Sequence, residues 1–195
     1  MTDIPLDLGP QARIVARLAE HVTDDELAGG TPCPEYAVRA VLGHILGLAV
    51  AFRDAARKDL GVTTDTSPDT AVSDIGPGWR EELPKALDEL ADAWRDPAAW
   101  TGMTRAGGVD LPGEVAGAVV ADELVIHGWD LARATGQDYT PDPAALRAVH
   151  DFLAAAAEES DRGPFGPVVP VPDDAPLLDR AVGLSGRDPG WTRSV

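Results

Sequence analysis

Apolar residues recur along most of this chain at the i, i+3, i+4, i+7 spacing of amphipathic helices. Gln11 to Val22 carries Ile14, Val15 and Leu18 in register, with His21 closing its last turn. Val38 to Arg57 is the clearest stripe, with Val38, Val41, Leu42, Ile45, Leu48, Ala49 and Phe52. Gly61 to Gly78 is rich in Thr, Asp, Ser and Pro and reads as a long loop. Trp79 to Trp94 returns to helical period through Leu83, Leu87, Leu90 and Trp94. Proline is tolerated in the first turn of a helix, so Pro84 places the expected start near Glu82. Gly107-Gly108 marks another loop, after which Pro112 suits the first turn of a long helix. That helix runs to Thr135 and stops at Gly136, a good residue just past a helix end. A fifth helix spans Pro143 to Ser160. Residues 163–176 hold five prolines and two glycines around Val168, Val169 and Val171, the composition of an extended strap. Leu177 to Leu184 reads as a last short helix. There is no repeat at a solenoid period and no strand meander. The pattern predicts an all-α helical bundle forming one domain over residues 1–195, with a Pro/Gly-rich C-terminal extension, 162–195, packed on it.

Charge narrows the partners. The chain has 195 residues, with 16 Lys plus Arg against 33 Asp plus Glu, for a formal charge of −17. Only Lys58 and Lys85 are lysines. A free-standing nucleic-acid binder needs a basic face, and an anionic membrane surface repels so acidic a chain. No apolar run approaches the roughly 18 residues of a membrane span, and the start has no signal-peptide pattern. The expectation is a cytoplasmic protein. The single cysteine, Cys33, excludes an internal disulfide or a cysteine-cluster metal site. No basic residue is near it in sequence, so a small buried residue in the loop entering the second helix is the favoured reading over a nucleophile.

The candidate chemistry lies in Glu-Leu-Val-Ile-His-Gly-Trp-Asp, residues 123–130. Glu123 and His127 are four apart on the long helix, so they share a face, and Asp130 follows on the same side. Val119 and Ile126 lie in the same stripe. Burying a lone carboxylate and imidazole there costs several kcal/mol, roughly, and a divalent cation offsets that directly. His44, at the margin of the apolar face of the second helix, supplies a third donor. Two His and one carboxylate leave a coordination position open, the pattern of a catalytic rather than a structural site. The set suits zinc, with nickel or ferrous iron as alternatives. The plainer reading is an ordinary i, i+4 hydrogen bond, with His44 a satisfied structural residue. Asp130 either orients His127 or pairs with Arg133. His21 and His150 read as surface residues, and Trp79 and Trp129 as core.

These residues carry a resemblance. The chain resembles the actinobacterial DinB-like metal-binding proteins related to the N-terminal domain of mycothiol-dependent maleylpyruvate isomerase. The matching segments are Thr-Pro-Cys-Pro-Glu-Tyr (31–36), Val-Arg-Ala-Val-Leu-Gly-His (38–44), residues 123–136, Phe-Gly-Pro-Val-Val-Pro-Val-Pro (165–172) and Gly-Arg-Asp-Pro-Gly-Trp (186–191). The resemblance implies an up-down-down-up four-helix bundle in which His44, Glu123 and His127 bind the divalent metal. One departure is that Ala37 and Ala40 stand where the family usually has a Thr-x-x-Asp capping box, so the second helix must be capped otherwise or start earlier. The isomerase also has a further C-terminal domain, and too few residues remain here to hold it, so the isomerase reaction is not implied.

The resemblance further implies thiol chemistry, with mycothiol bound to the metal as thiolate and attacking a small electrophile, as in an S-transferase or an isomerase. A chain at −17 repels a dianion such as maleylpyruvate unless its cleft is locally basic, and Arg105 and Arg133 are the candidates near the long helix. A neutral electrophile is the easier fit. The alternative is a non-catalytic metal or small-ligand module, favoured by the lack of a clear acid, base or substrate clamp. Bundles of this family often pair through helix faces, so a homodimer stays open.

Overall fold

The computed structural model describes residues 4–67, 75–159 and 165–193. Its helices are α1 (Gly9–Glu20), α2 (Val38–Arg57), the single turn α3 (Val62–Asp65), α4 (Trp79–Ala93), α5 (Gly113–Thr135), α6 (Pro143–Glu158) and α7 (Leu177–Leu184). α1 and α2 each pack against both α4 and α5, so these four make the bundle, with α1 diagonal to α2. α6 lies on α5, and α7 on α6. One hydrophobic cluster runs from Leu8 through to Val182. Among the described residues, no helix is long and apolar enough to cross a membrane.

The sequence pattern explains most of this. The apolar stripe of α2 is buried from Val38 to Ala56. α5 buries residues around nearly its whole circumference, as its apolar composition requires of a central helix. Gly136 closes it at φ 69°, a left-handed conformation natural to glycine. Gly117 lets α5 approach closely: a Cβ there would lie 2.2 Å from the Trp100 ring. Gln11 is a buried polar hub. Its Nε2 donates to the Leu124 carbonyl and to Tyr139 Oη, while Asp142 N–H donates to its Oε1. It thereby ties α1 to α5 and to the start of α6.

Four expectations need correction. The loop at Gly107-Gly108 is the turn of an antiparallel hairpin, β1 (Met103–Ala106) and β2 (Val109–Pro112), paired from Met103↔Pro112 to Ala106↔Val109. Both glycines have positive φ, 61° and 79°, as the tight hairpin turn demands. Four-residue strands are too short to show an alternating pattern. Pro112 accordingly ends β2 and flanks α5 instead of standing in its first turn. α4 starts at Trp79, ahead of Glu82, because the Glu81 and Glu82 N–H groups bond to the Gly78 carbonyl, and Pro84 falls in its second turn. The expected loop 61–78 contains α3, and residues 68–74 of it lie outside the described set.

The missing capping box has a backbone substitute. Ala37 makes no side-chain cap, yet α2 begins at Val38 as expected. The Val38 N–H donates to the Gly29 carbonyl at 2.9 Å and the Arg39 N–H to the Leu27 carbonyl at 3.0 Å. The loop leading into the helix thus satisfies donors that a Thr side chain would otherwise share.

The strap, over its described residues 165–176, carries no helix or strand. It packs through Val169, whose N–H donates to the Gly183 carbonyl. Beyond α7 the chain returns to α5, where Arg133 donates to the Trp191 carbonyl.

Candidate metal centre

α2 and α5 bring His44, Glu123 and His127 together. His44 Nε2 lies 3.0 Å from Glu123 Oε2, and His127 Nε2 lies 3.1 Å from the same oxygen. One donor atom from each of the three lies within 4.8 Å of the others. Both imidazoles are buried, while Glu123 is half-buried. The His rings meet edge to face, centroids 4.7 Å apart. Tyr36, in the loop entering α2, covers both of them at 5.6 and 6.4 Å.

The electrostatics follow from this packing. Burial works to raise the pKa of Glu123, but hydrogen bonds from His127 and His44 overcome it and hold the carboxyl well below the usual range. Burial likewise opposes charge on His127. Hydrogen bonds to Asp130 and Glu123 outweigh it and raise the imidazole to about 9. His127 Nδ1 sits 2.9 Å from Asp130 Oδ2. With a carboxylate on each ring nitrogen, the ring is held as imidazolium. When His127 serves as a metal ligand, the Asp130 bond keeps the proton on Nδ1 and turns the Nε2 lone pair towards Glu123 and His44.

Asp130 is fully buried, and its basic partner is not the expected one. Arg187, from the segment after α7, donates through Nε to Oδ1 and Oδ2 at 2.9 and 3.0 Å. Arg133 instead reaches the Trp191 carbonyl and the Trp129 ring. Sequence reasoning missed Arg187 because 57 residues separate it from Asp130. Its place in the Gly-Arg-Asp-Pro-Gly-Trp segment was the available signal.

The remaining candidates separate clearly. Cys33 is half-buried, and burial pushes its thiol pKa up, against a role as thiolate. A basic residue does stand near it in space, since Arg187 acts on it electrostatically. His21 is exposed, and its Nδ1 lies against the Arg17 carbonyl. His150, half-buried, has its neighbour Asp151 as a partner. Trp79 and Trp129 are core. Asp122, beside Glu123, was not anticipated. It is buried, and its Oδ1 has no partner among the described residues. Burial, with help from Glu123, pushes its pKa up to about 8, so it is a neutral acid at neutral pH. A cavity of about 720 Å³ opens beside the cluster, with His44 and Glu123 in its wall.

A helical bundle that converges two imidazoles and a carboxylate from facing helices defines a class of candidate metal proteins. Residues 8–132 match the mycothiol maleylpyruvate isomerase N-terminal domain, and the chain belongs to that family. All three clustered residues fall within the match. Arg187 falls beyond it. The uncharacterized proteins MT0763 and Rv0738 of Mycobacterium tuberculosis are each 28% identical over 182 residues, covering 88% of this chain and 91% of theirs. The crystal structure of a mutant mycothiol-dependent maleylpyruvate isomerase is similar, with a TM-score of 0.58 and 16% identity. It matches 73% of this chain, which spans 65% of that protein, and at this identity the likeness concerns the fold alone.

Proposed function

We propose that this protein binds one divalent metal ion through His44, Glu123 and His127 and uses a low-molecular-weight thiol, mycothiol by family relation, against a small electrophile. The carrying observation is the convergence of three donor atoms within 4.8 Å of one another at the wall of a cavity. The donor chemistry fits a metal: two imidazole Nε2 atoms crowd one carboxylate oxygen, and a cation between them satisfies all three. Zinc suits this set, with nickel or ferrous iron as alternatives. A divalent cation supplies the positive charge that keeps a coordinated thiol deprotonated at neutral pH.

The chain's own residues do the rest. Asp130 fixes the His127 tautomer, Arg187 fixes Asp130, and the Tyr36 ring shields both imidazoles from water. The cavity brings the electrophile beside His44 and Glu123. In transfer, a sulfur–carbon bond forms, the thiol proton goes to solvent, and the leaving group departs with its electron pair. In isomerisation, the sulfur–carbon bond formed by addition breaks again and the thiol is returned. We read the whole chain as one cytoplasmic domain, with 162–195 part of it.

The test is thiol consumption by the zinc-loaded protein with mycothiol and a panel of electrophiles. Turnover above a metal-stripped control is expected. No consumption across a broad panel, with metal retained, would make the protein a binding module.

A further inference from the structure

The cavity beside the cluster has walls of an unusual kind for this chain. Leu46, Val50, Ile75, Leu111 and Val119 make it largely apolar. Its volume of about 720 Å³ falls in the range of small-molecule sites, roughly 300–1,000 Å³. Among the described residues, no Lys or Arg lines it. Arg105, a candidate for anion binding from the sequence, is taken up by Asp110 and Asp65 instead. Arg53 is paired with Asp54 and Glu89. Among the described residues, the charged groups that do face the cavity are Glu82 and Glu123.

α2 is cut away along this wall. Gly43 and Gly47 stand one turn apart in the middle of a 20-residue helix, and both line the cavity. Glycine is the least favourable residue in a helix interior after proline. At Gly47 the usual packing excuse is absent, because a Cβ built there meets no atom within 4 Å. Space there adjoins His44 and is not taken by a neighbouring helix. Leaving a side chain off the helix at Gly47 enlarges the room next to the candidate ligands.

We infer that this cavity is a binding site for an uncharged, apolar small molecule, held with its reactive carbon towards His44 and Glu123. The inference deepens the proposed function, on which the direction of attack rests. Away from the three candidate ligands, a carboxylate placed in this cavity would lose water, find no Lys or Arg among the described lining residues and meet Glu82. An apolar molecule loses nothing by the same transfer and gains contact with the walls.

Two aryl alkenes of similar size make the test, neutral benzalacetone and anionic cinnamate. Affinities are measured by saturation-transfer NMR titration. The two compounds are compared on the metal-stripped protein, where no ion can take up the carboxylate, and benzalacetone also on the metal-loaded protein and on metal-loaded Gly47→Leu. Benzalacetone is expected to bind at least about ten-fold more tightly than cinnamate. Gly47→Leu is expected to lose benzalacetone binding while keeping its metal content, with Tm unchanged or raised. Ala51→Leu, one turn further along the same wall, is the second filling variant should the first fold poorly. Equal or tighter binding of cinnamate, or undiminished benzalacetone binding in the folded filling variants, would overturn the inference. Benzalacetone binding as expected, without thiol consumption in the electrophile panel, would uphold the cavity assignment and defeat the thiol-transfer reading.

Discussion

His127 has a carboxylate on either side, and that fixes its behaviour. Asp130 at Nδ1 and Glu123 at Nε2 raise its pKa to about 9. A metal ligand must give up its Nε2 proton, so metal binding at neutral pH releases about one proton from this ring. Calorimetry in buffers of different ionisation enthalpy measures that number, and a value near zero at pH 7 would contradict the geometry. Affinity is expected to fall as pH drops below about 9, since protons compete for the same nitrogen. The metal-free fold follows the opposite trend. A pKa raised from 6.5 to about 9 stabilises the folded state fully below pH 6.5 and no longer above about 9. Its Tm should decline across that window. Arg187 acts one residue further out. Arg187→Ala leaves Asp130 with His127 alone and is expected to weaken metal binding by about 10–100-fold, read by chelator competition. Arg187→Lys keeps charge but loses the planar fork, so it should fall between.

The helices were legible because their apolar stripes are long. Val38–Arg57 and Leu177–Leu184 appear with the expected bounds, and the long helix ends at Gly136 as its sequence indicates. The hairpin was not legible, since eight strand residues of mixed polarity give no period. The start of α2 shows a subtler limit. Its missing Thr looked like a defect, but distant backbone carbonyls fill the role, and no sequence spacing reveals them. A Ser at a helix N-cap usually contributes about 1 kcal/mol by accepting from the second or third N–H. Here the Arg39 N–H already donates to the Leu27 carbonyl and the Ala40 N–H to the Ala37 carbonyl. Ala37→Ser should therefore gain less than about 0.5 kcal/mol in urea unfolding. A full capping gain would show that those backbone bonds are weak or absent in solution.

Across the whole molecule, the acidic balance first served to exclude nucleic acid and membranes. The structure gives it a second meaning: the paired arginines sit on the outside or at Asp130, and among the described residues none lines the cavity. The three central residues were legible from spacing and from the family's motifs, because Glu123 and His127 are one helical turn apart. Arg187 and Tyr36 were not, since only the folded chain brings the last segment and the loop before α2 to the same place. The extension is thus tied to the site through the buried ion pair of Arg187 with Asp130, 57 residues apart in sequence. Metal content of the purified protein, beside His44→Ala and His127→Ala, bears on all of this at once. About one divalent ion per chain is expected in the unaltered protein, and loss of it from both variants with the helical fold retained. Full retention of metal by both variants would contradict the site.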